Sequence, residues 1–402
     1  MNKRIAFITS SFPFGKSEVW AINELNSLQE LGIRVTIVPR TGKGKIINQD
    51  ALKFKSNLID LPFFNFKILF FFIKFVLTDP FLFLILLSGI IKQSNSINNF
   101  LKGFLILPKS LYLANKLNLK KIEHIHSLST TSTATMAYII SAVNKVPWSY
   151  TLHSSSILNS KYKRSFLFQS RSASKFRTIS NMTAKDLSNF IGPSLSKKIF
   201  MVRLGVNIKP LKKEKNFINN PLIISTPAEL KDHKGHIFSI NAAKNLTDMG
   251  ISNFKWFFFG SGPLLKKLQK KVKKLNLVNH CYFPGNINHQ ELLQKYDNNE
   301  IDIVVSSSIS IPNVFEGIPV SLLEAMSYEI PVIATDSGAT RELVDGTSGI
   351  LVNQNDSEAI SNAIITFIDK PDYMRIIGKN GRGKVKQDFN TIKNTNDLIR
   401  IF

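Results

Sequence analysis

Short apolar runs alternate along this chain with stretches whose apolar positions recur every three or four residues, the pattern of strands and amphipathic helices. In the first half, residues 4–9 and 34–38 read as strands around a helix over 18–31 that Gly32 stops. Further strands are predicted at 122–126, 148–152, 177–180 and 199–202. A second series occupies 222–225, 254–259, 280–283, 301–305, 332–335 and 350–352. Between the two lies a polar stretch without periodicity, 209–221, which reads as a linker. The alternation predicts two doubly wound α/β domains. No internal repeat is evident, which argues against a solenoid.

One stretch breaks this pattern. Residues 61–91 hold Phe63-Phe64, Phe70-Phe71-Phe72 and a run from Phe81 to Leu87, interrupted by Lys67, Lys74 and Asp79. The longest uncharged run, 80–91, is 12 residues, short of the roughly 18 needed to span a bilayer. Helices lying in a membrane interface, with Lys67, Lys74 and Lys92 near anionic headgroups, suit the pattern. A helical insertion packed inward would show the same composition.

Length and charge bound the rest. A chain of 402 residues accommodates two domains of about 200 each. Cys281 is its one cysteine, which excludes an internal disulfide and favours a reducing, cytoplasmic setting. The start, Met1 to Thr9, has only a short apolar run and is expected to be a first strand rather than a signal peptide. The formal net charge of +24 allows attraction to an anionic membrane or to nucleic acid. Lys, Asn, Ile and Phe are all abundant, so coding bias contributes to it. The interleaved basic and aromatic platform of a single-strand binder is not evident, and nucleic acid is not an expected partner.

The richest chemistry lies in Glu316-Gly317-Ile318-Pro319-Val320-Ser321-Leu322-Leu323-Glu324-Ala325-Met326. Pro319 predicts a helix starting at about that residue, with Leu322, Leu323 and Met326 on its buried face. Glu316 then stands in the loop ahead of the helix and Glu324 inside it. Outward amides with the helix dipole suit a diphosphate, and a carboxylate on each side suits sugar hydroxyls. A capped surface helix with two solvated glutamates would have the same spacing. The flanking runs, 301–305 ending in Ser306-Ser307-Ser308 and 331–335 before a turn at 336–339, make a βαβ unit, and Arg341-Glu342-Leu343-Val344 reads as the opening of another helix.

The run from Glu316 to Val344 resembles the donor-site signature of retaining glycosyltransferase family 4, in its exopolysaccharide, O-antigen and colanic acid branch. Phe12-Pro13-Phe14-Gly15-Lys16-Ser17-Glu18 is similar to that branch's FPxxSE. The resemblance implies a GT-B fold, two Rossmann-like domains facing a cleft: 1–207 binding the acceptor, 208–385 binding the donor, and 386–402 crossing back. It implies transfer of a hexosyl group with retention, from a UDP- or GDP-linked sugar to a saccharide acceptor carried on lipid, at the inner face of the cytoplasmic membrane. No cofactor and no metal are implied.

Site residues follow from matching motifs. Glu316 is expected at the transferred sugar, Glu324 at the ribose, and Gly317, Ile318, Pro319, Val320 and Ser321 along the donor between them. Lys234-Gly235 matches the family's diphosphate-binding Lys-Gly. Glu229 stands where the family has Arg, so Lys231 or His233 substitutes for that cation or the site is weakened. Phe259-Gly260-Ser261-Gly262-Pro263 resembles the family's GxGP, and is equally a packing device. Gly285, Asn286 and Ile287 match a loop lining the base pocket, and Gly15 a loop glycine that lets backbone approach the donor. His153, in a TxHxxD-like motif with Ser156 in place of Asp, would donate a hydrogen bond to the sugar or orient the acceptor. A satisfied strand-end histidine fits His153 as well. His124 and His126 share a strand face, but further zinc ligands are not evident. Arg203 to Asn207 resembles the family's NGVD turn. Glu329 and Ala339 stand where relatives carry glycine. These departures, with Glu229, keep open an inactive scaffold of the same fold, and the charge alone keeps open a basic nucleic-acid-binding protein.

Overall fold

The computed structural model describes the chain except residues 1–2, 15–17, 19, 43, 45, 47–48, 131, 156–157, 159–161, 213–217, 313 and 315. It divides into two units, Met1–Leu204 with Thr391–Phe402, and Gly205–Asn390. The divisions fall at 204/205 and 390/391 rather than 207/208 and 385/386, because Val206 N donates to Phe389 O at 2.9 Å and so ties those residues into the second unit.

The first unit is built on β1 (Arg4–Thr9), β2 (Arg34–Pro39), β3 (His124–Ser127), β4 (Trp148–Leu152), β5 (Lys175–Thr178) and β6 (Ile199–Met201). All pair parallel, in the order β2-β1-β3-β4-β5-β6. Its helices are α1 (Ala21–Glu30), α2 (Phe66–Thr78), α3 (Pro80–Gln93), α4 (Ile97–Leu119), α5 (Ser132–Asn144), α6 (Lys163–Ser172), α7 (Asn181–Ile191) and α8 (Pro193–Ser196). Strand β5 ends at Thr178, two residues before the predicted 180, because Ser180 leaves the sheet to cap α7, its Oγ accepting from Thr183 N at 3.1 Å. A buried ion pair crosses this unit: Arg177 Nη1 lies 2.6 Å from Glu24 Oε2, and the same guanidinium donates to the carbonyls of Val202 and Arg203.

The apolar stretch forms α2 and α3, capped by the side chains of Asn65 and Asp79 and bent by 110° between them. No single helix among the described residues is long and apolar enough to cross a membrane. Leu86 and Ile90 pack inward on Leu107, Leu111 and Ile139. Most of α2 does not: Phe66 is 91 % exposed, Phe70 71 % and Leu77 76 %, and Phe81 on α3 is 75 %. Lys109 on α4 anchors this group to the sheet, its buried ammonium donating to the carbonyls of Pro39, Arg40 and Leu61 at 2.8–3.1 Å. Burial pulls its pKa down to about 8.

The second unit holds β7 (Leu222–Pro227), β8 (Phe254–Phe259), β9 (Cys281–Gly285), β10 (Ile303–Ser306), β11 (Val332–Thr335) and β12 (Ile350–Val352). They too are all parallel, ordered β12-β11-β10-β7-β8-β9. Helices α9 (His236–Asp248), α10 (Leu265–Lys274), α11 (His289–Asp297), α12 (Val320–Ser327), α13 (Ser357–Asp369) and α14 (Pro371–Asp388) complete the unit. The helix expected to open at Arg341 is only a 3-10 turn, Thr340–Glu342. Asp345 ends it by drawing the amides of Thr347 and Ser348 onto Oδ1, with Gly346 at φ +83°. The last helix, α15 (Thr391–Ile399), belongs to the first unit, where Leu398 and Ile401 join the core of Ile5, Phe7 and Leu25.

Candidate active site

Strands β7 and β10 are neighbours and run parallel, so the loops leaving their C-terminal ends emerge side by side. Lys234 comes from one loop and Glu316 from the other. Lys234 Nζ donates to Glu316 Oε1, and Ser308 Oγ donates to the same oxygen at 2.9 Å. Both charged side chains are mostly buried, at 22 % and 14 % exposure. Burial alone would raise the Glu316 pKa; the charge of Lys234 and the hydrogen bonds from Lys234 and Ser308 outweigh it and hold the carboxyl below its ordinary value.

Two glycines make this contact possible. Gly235 has φ +62°, and a Cβ there would stand 1.9 Å from the Ser307 carbonyl oxygen. Gly338 has φ +57°, and its Cβ would stand 1.9 Å from the Glu316 carbonyl oxygen. Ser307 Oγ fastens the first approach by donating to Gly235 O at 2.9 Å, while accepting from Ser239 Oγ at 2.9 Å. The backbone of each acidic or basic loop is therefore held against a neighbouring strand end.

Glu324 lies on α12, which starts at Val320 with Pro319 as its extended N-cap residue. Pro319 brings no amide, and Ile318 is buried, so Gly317, Val320 and Ser321 are the half-buried amide-bearing residues between the two glutamates. Glu324 Oε1 is 2.7 Å from His289 Nε2. His289 opens α11 directly after the loop holding Gly285, Asn286 and Ile287, and Asn288 caps it by accepting from Gln290 N at 2.9 Å. Glu324 and that loop are thus brought to one place.

The segment before Lys234 departs from expectation. Lys231 Nζ is 2.5 Å from Glu229 Oε2, so this lysine is engaged by the glutamate it was expected to compensate. The pKa of His233 is lowered by burial and then by Lys234, leaving the ring neutral at pH 7. His233 therefore does not replace the missing arginine as a cation, and Lys234 carries the charge facing Glu316. Gly260 and Gly262 pack against the backbone of 228–230, where a Cβ would stand 2.0 Å from Ala228 O and 2.5 Å from Leu230 O. That loop is a packing device.

In the first unit, His153 follows β4, half-buried, with its ring centroid 4.3 Å from that of Trp20. Its Nε2 is 2.9 Å from Leu128 O. A carbonyl only accepts, so Nε2 carries the proton and Nδ1 of the neutral ring is an acceptor. Burial, then Arg177, pulls the pKa down to about 4 against the opposing Leu128 bond. The expected donor is corrected to an acceptor: the N–H is committed to Leu128. Gly15 and Ser156 lie outside the described residues. His124 Nε2 and His126 Nδ1 both lie 2.7 Å from Ser149 Oγ, and His126 Nε2 is 2.8 Å from Thr151 Oγ1. These two histidines belong to a buried hydrogen-bonded strand face against Phe402.

Sequence reading located Lys234, Glu316 and Glu324 but missed Ser308, His289 and the glycine at 338 as supports. The serine run after β10 was visible, yet which hydroxyl faces Glu316 depends on how the loop after β10 folds back on itself.

Residues 207–384 match the family model described as Glycosyl transferases group 1. Over 200 residues the chain is 30 % identical to a protein of Escherichia coli (strain K12) provisionally named colanic acid biosynthesis glycosyltransferase WcaL, covering 48 % of each chain. It is 27 % identical over 198 residues to the amylovoran biosynthesis glycosyltransferase AmsK of Erwinia amylovora, again 48 % of each. The aligned part thus spans about half the length of these curated relatives. Among solved structures, Anabaena HepE in complex with UDP-glucose superposes with a TM-score of 0.73 at 16 % identity over 99 % of this chain and 98 % of that one. A glycosyltransferase from Rickettsia africae does so with a TM-score of 0.73 at 17 % identity, over 100 % and 98 %. At these identities the likeness is one of fold, and that fold is GT-B, with two parallel-sheet α/β units.

Proposed function

We propose, taking as premise that this chain belongs through residues 207–384 to the glycosyl transferases group 1, that it moves a hexosyl group from a UDP- or GDP-linked sugar to a saccharide acceptor carried on lipid, in the assembly of a surface polysaccharide. The observation that carries this reading is the joining of Lys234 and Glu316 at the ends of β7 and β10. An ammonium beside the diphosphate stabilises the charge that grows there as the anomeric C–O bond breaks. A carboxylate kept ionised by Lys234 and Ser308 accepts hydrogen bonds from hydroxyls of the transferred sugar. Lys234 is held by Glu316 before donor arrives, so the incoming diphosphate competes for an ammonium that is already oriented.

Glu324, with His289 behind it, accepts from ribose hydroxyls, and Gly285, Asn286 and Ile287 border the base. The acceptor oxygen forms its new bond on the face from which the diphosphate departs, and its proton passes to a departing phosphate oxygen, which gives retention without an enzyme base. His153 Nδ1 accepts from a substrate hydroxyl and so orients it. UDP-glucose in HepE and the polysaccharide names of the relatives support the donor and pathway classes. The exposed apolar face of α2 and α3, with Lys67, Lys74 and Lys92, supports a peripheral position on an anionic membrane at its cytoplasmic side.

The test is a screen of nucleotide sugars for protection against thermal unfolding, followed by assay of nucleoside diphosphate release. One UDP- or GDP-sugar is expected to stabilise the protein and Glu316→Ala to abolish transfer. Wild-type-like transfer by that variant would refute the site, and the absence of release with every donor would favour an inactive scaffold.

A further inference from the structure

The first unit contains a pocket of about 410 Å³ bordered by the end of α3, the start of α4, the beginning of α5 and α6. Arg40, directly after β2, and Lys102 on α4 bring two cations to its wall. Thr130 and Ser132 add hydroxyls where α5 begins. Among the described residues that line it there is no Asp or Glu. The wall is therefore built for negative charge, not merely polar.

Gln93 points to what is bound. It is 5 % exposed, its Oε1 accepts from Thr135 Oγ1 at 2.9 Å, and its buried Nε2 has no hydrogen-bond partner. A buried donor left unpaired is costly. An oxyanion in the pocket would satisfy it. Lys109 fixes this corner from behind, holding Arg40 O at 2.8 Å. The outer faces of the same two helices are apolar: Ile91 is 55 % exposed, Ile97 69 %, Leu101 48 % and Leu105 48 %. A ligand with an anionic head and a long apolar chain matches both features, whereas a free anion leaves the apolar face unexplained.

We propose that this pocket binds the phosphate of a long-chain lipid phosphate, the carrier of the acceptor saccharide. Arg40 and Lys102 pair with its oxygens, Gln93 Nε2 donates to one of them, and the chain lies along the exposed faces of α3 and α4 in the membrane interface. Its role as acceptor carrier rests on the transferase reading above; the binding itself does not.

The full chain would be floated with phosphatidylcholine vesicles containing either a polyprenyl monophosphate or phosphatidylglycerol, matched in surface charge. At least a tenfold preference for the polyprenyl phosphate is expected, falling to parity in Arg40→Ala/Lys102→Ala and severalfold in Gln93→Leu. Lys102→Glu, a change at an exposed position, tests the same preference if the double variant fails to fold. Equal flotation on the two vesicles, or a preference untouched by these variants, overturns the proposal. So does tight binding of inorganic phosphate that abolishes the preference, which would mark a free-anion site. Nucleotide-sugar protection is measured on the same samples. Protection without lipid preference removes the pocket alone, and preference without protection removes the transferase reading alone.

Discussion

His289 Nε2 lies 2.7 Å from Glu324 Oε1, joining the first residue of one helix to the middle of the next. The contact positions the carboxylate assigned to the ribose and at the same time fixes the loop assigned to the base. Removing the imidazole should loosen both. His289→Ala is expected to lower stability by about 1 kcal/mol and to raise the donor KM severalfold while kcat changes less than twofold. Steady-state kinetics with varied nucleotide sugar checks this; an unchanged KM would separate Glu324 from donor binding.

Lys234→Ala leaves Glu316 mostly buried without its cation. The carboxyl pKa should then rise, and stability at pH 7 should fall by about 1–3 kcal/mol. Transfer should fall at least a hundredfold. In the double variant Lys234→Ala/Glu316→Gln the stability loss should be smaller than in Lys234→Ala alone, because no unpaired charge remains. Denaturant melts of the four proteins in the cycle measure the coupling.

Glu329 adopts φ +61°, where a side chain other than glycine's is strained by about 1–2 kcal/mol. Its carboxylate reaches Arg382 Nε only at 3.9 Å, a weak compensation. Glu329→Gly should therefore raise Tm with no loss of donor binding, as calorimetry would show. The departure from the glycine of relatives is a matter of turn energy rather than donor chemistry.

Four histidines, three of them buried and His153 half-buried, have depressed pKa values. Burial is the first cause for each, taking His124 to about 3, His153 and His236 to about 4, and His126 well below its ordinary value. The unfolded chain binds protons near pH 6.5 that these rings refuse. Their contribution is therefore complete above pH 6.5 and is lost as pH falls from there toward 4, by up to about 1.4 kcal/mol per pH unit for each ring. Urea melts between pH 7 and pH 5 should show this slope, and His126→Asn should reduce it.

Phe66, Phe70, Leu77 and Phe81 expose large apolar area on α2 and α3. Changing all four to Ser should abolish flotation with anionic vesicles and leave nucleotide-sugar protection as it was. Retained flotation would assign the membrane attraction to the basic charge alone.

The alternation of apolar runs was enough to read two parallel-sheet units, since strand and helix periods are local properties. Lys234, Glu316 and Glu324 were legible for the same reason: each sits in a short motif with its own turn chemistry. What was not legible depends on contacts between distant segments. Ser308 reaches Glu316 only because the loop after β10 folds back on itself, and Gly338 matters only because the turn after β11 passes against the Glu316 carbonyl. Side-chain caps moved boundaries that periodicity cannot see, as Ser180 did for β5 and Asp345 for the turn at Thr340. The reversal of His153 from donor to acceptor came from one carbonyl, Leu128, supplied by another strand's loop.

Leu398 and Ile401 fill the same core as Ile5 and Phe7, although the whole of the second unit lies between them in sequence. During synthesis on the ribosome the first sheet therefore waits, its inner face incomplete, until the second unit has already left the exit tunnel. The later-made half can finish folding before the earlier-made one, so a stop codon at residue 391 is expected to spare the fold of the second unit while leaving the sheet made before it without part of its core.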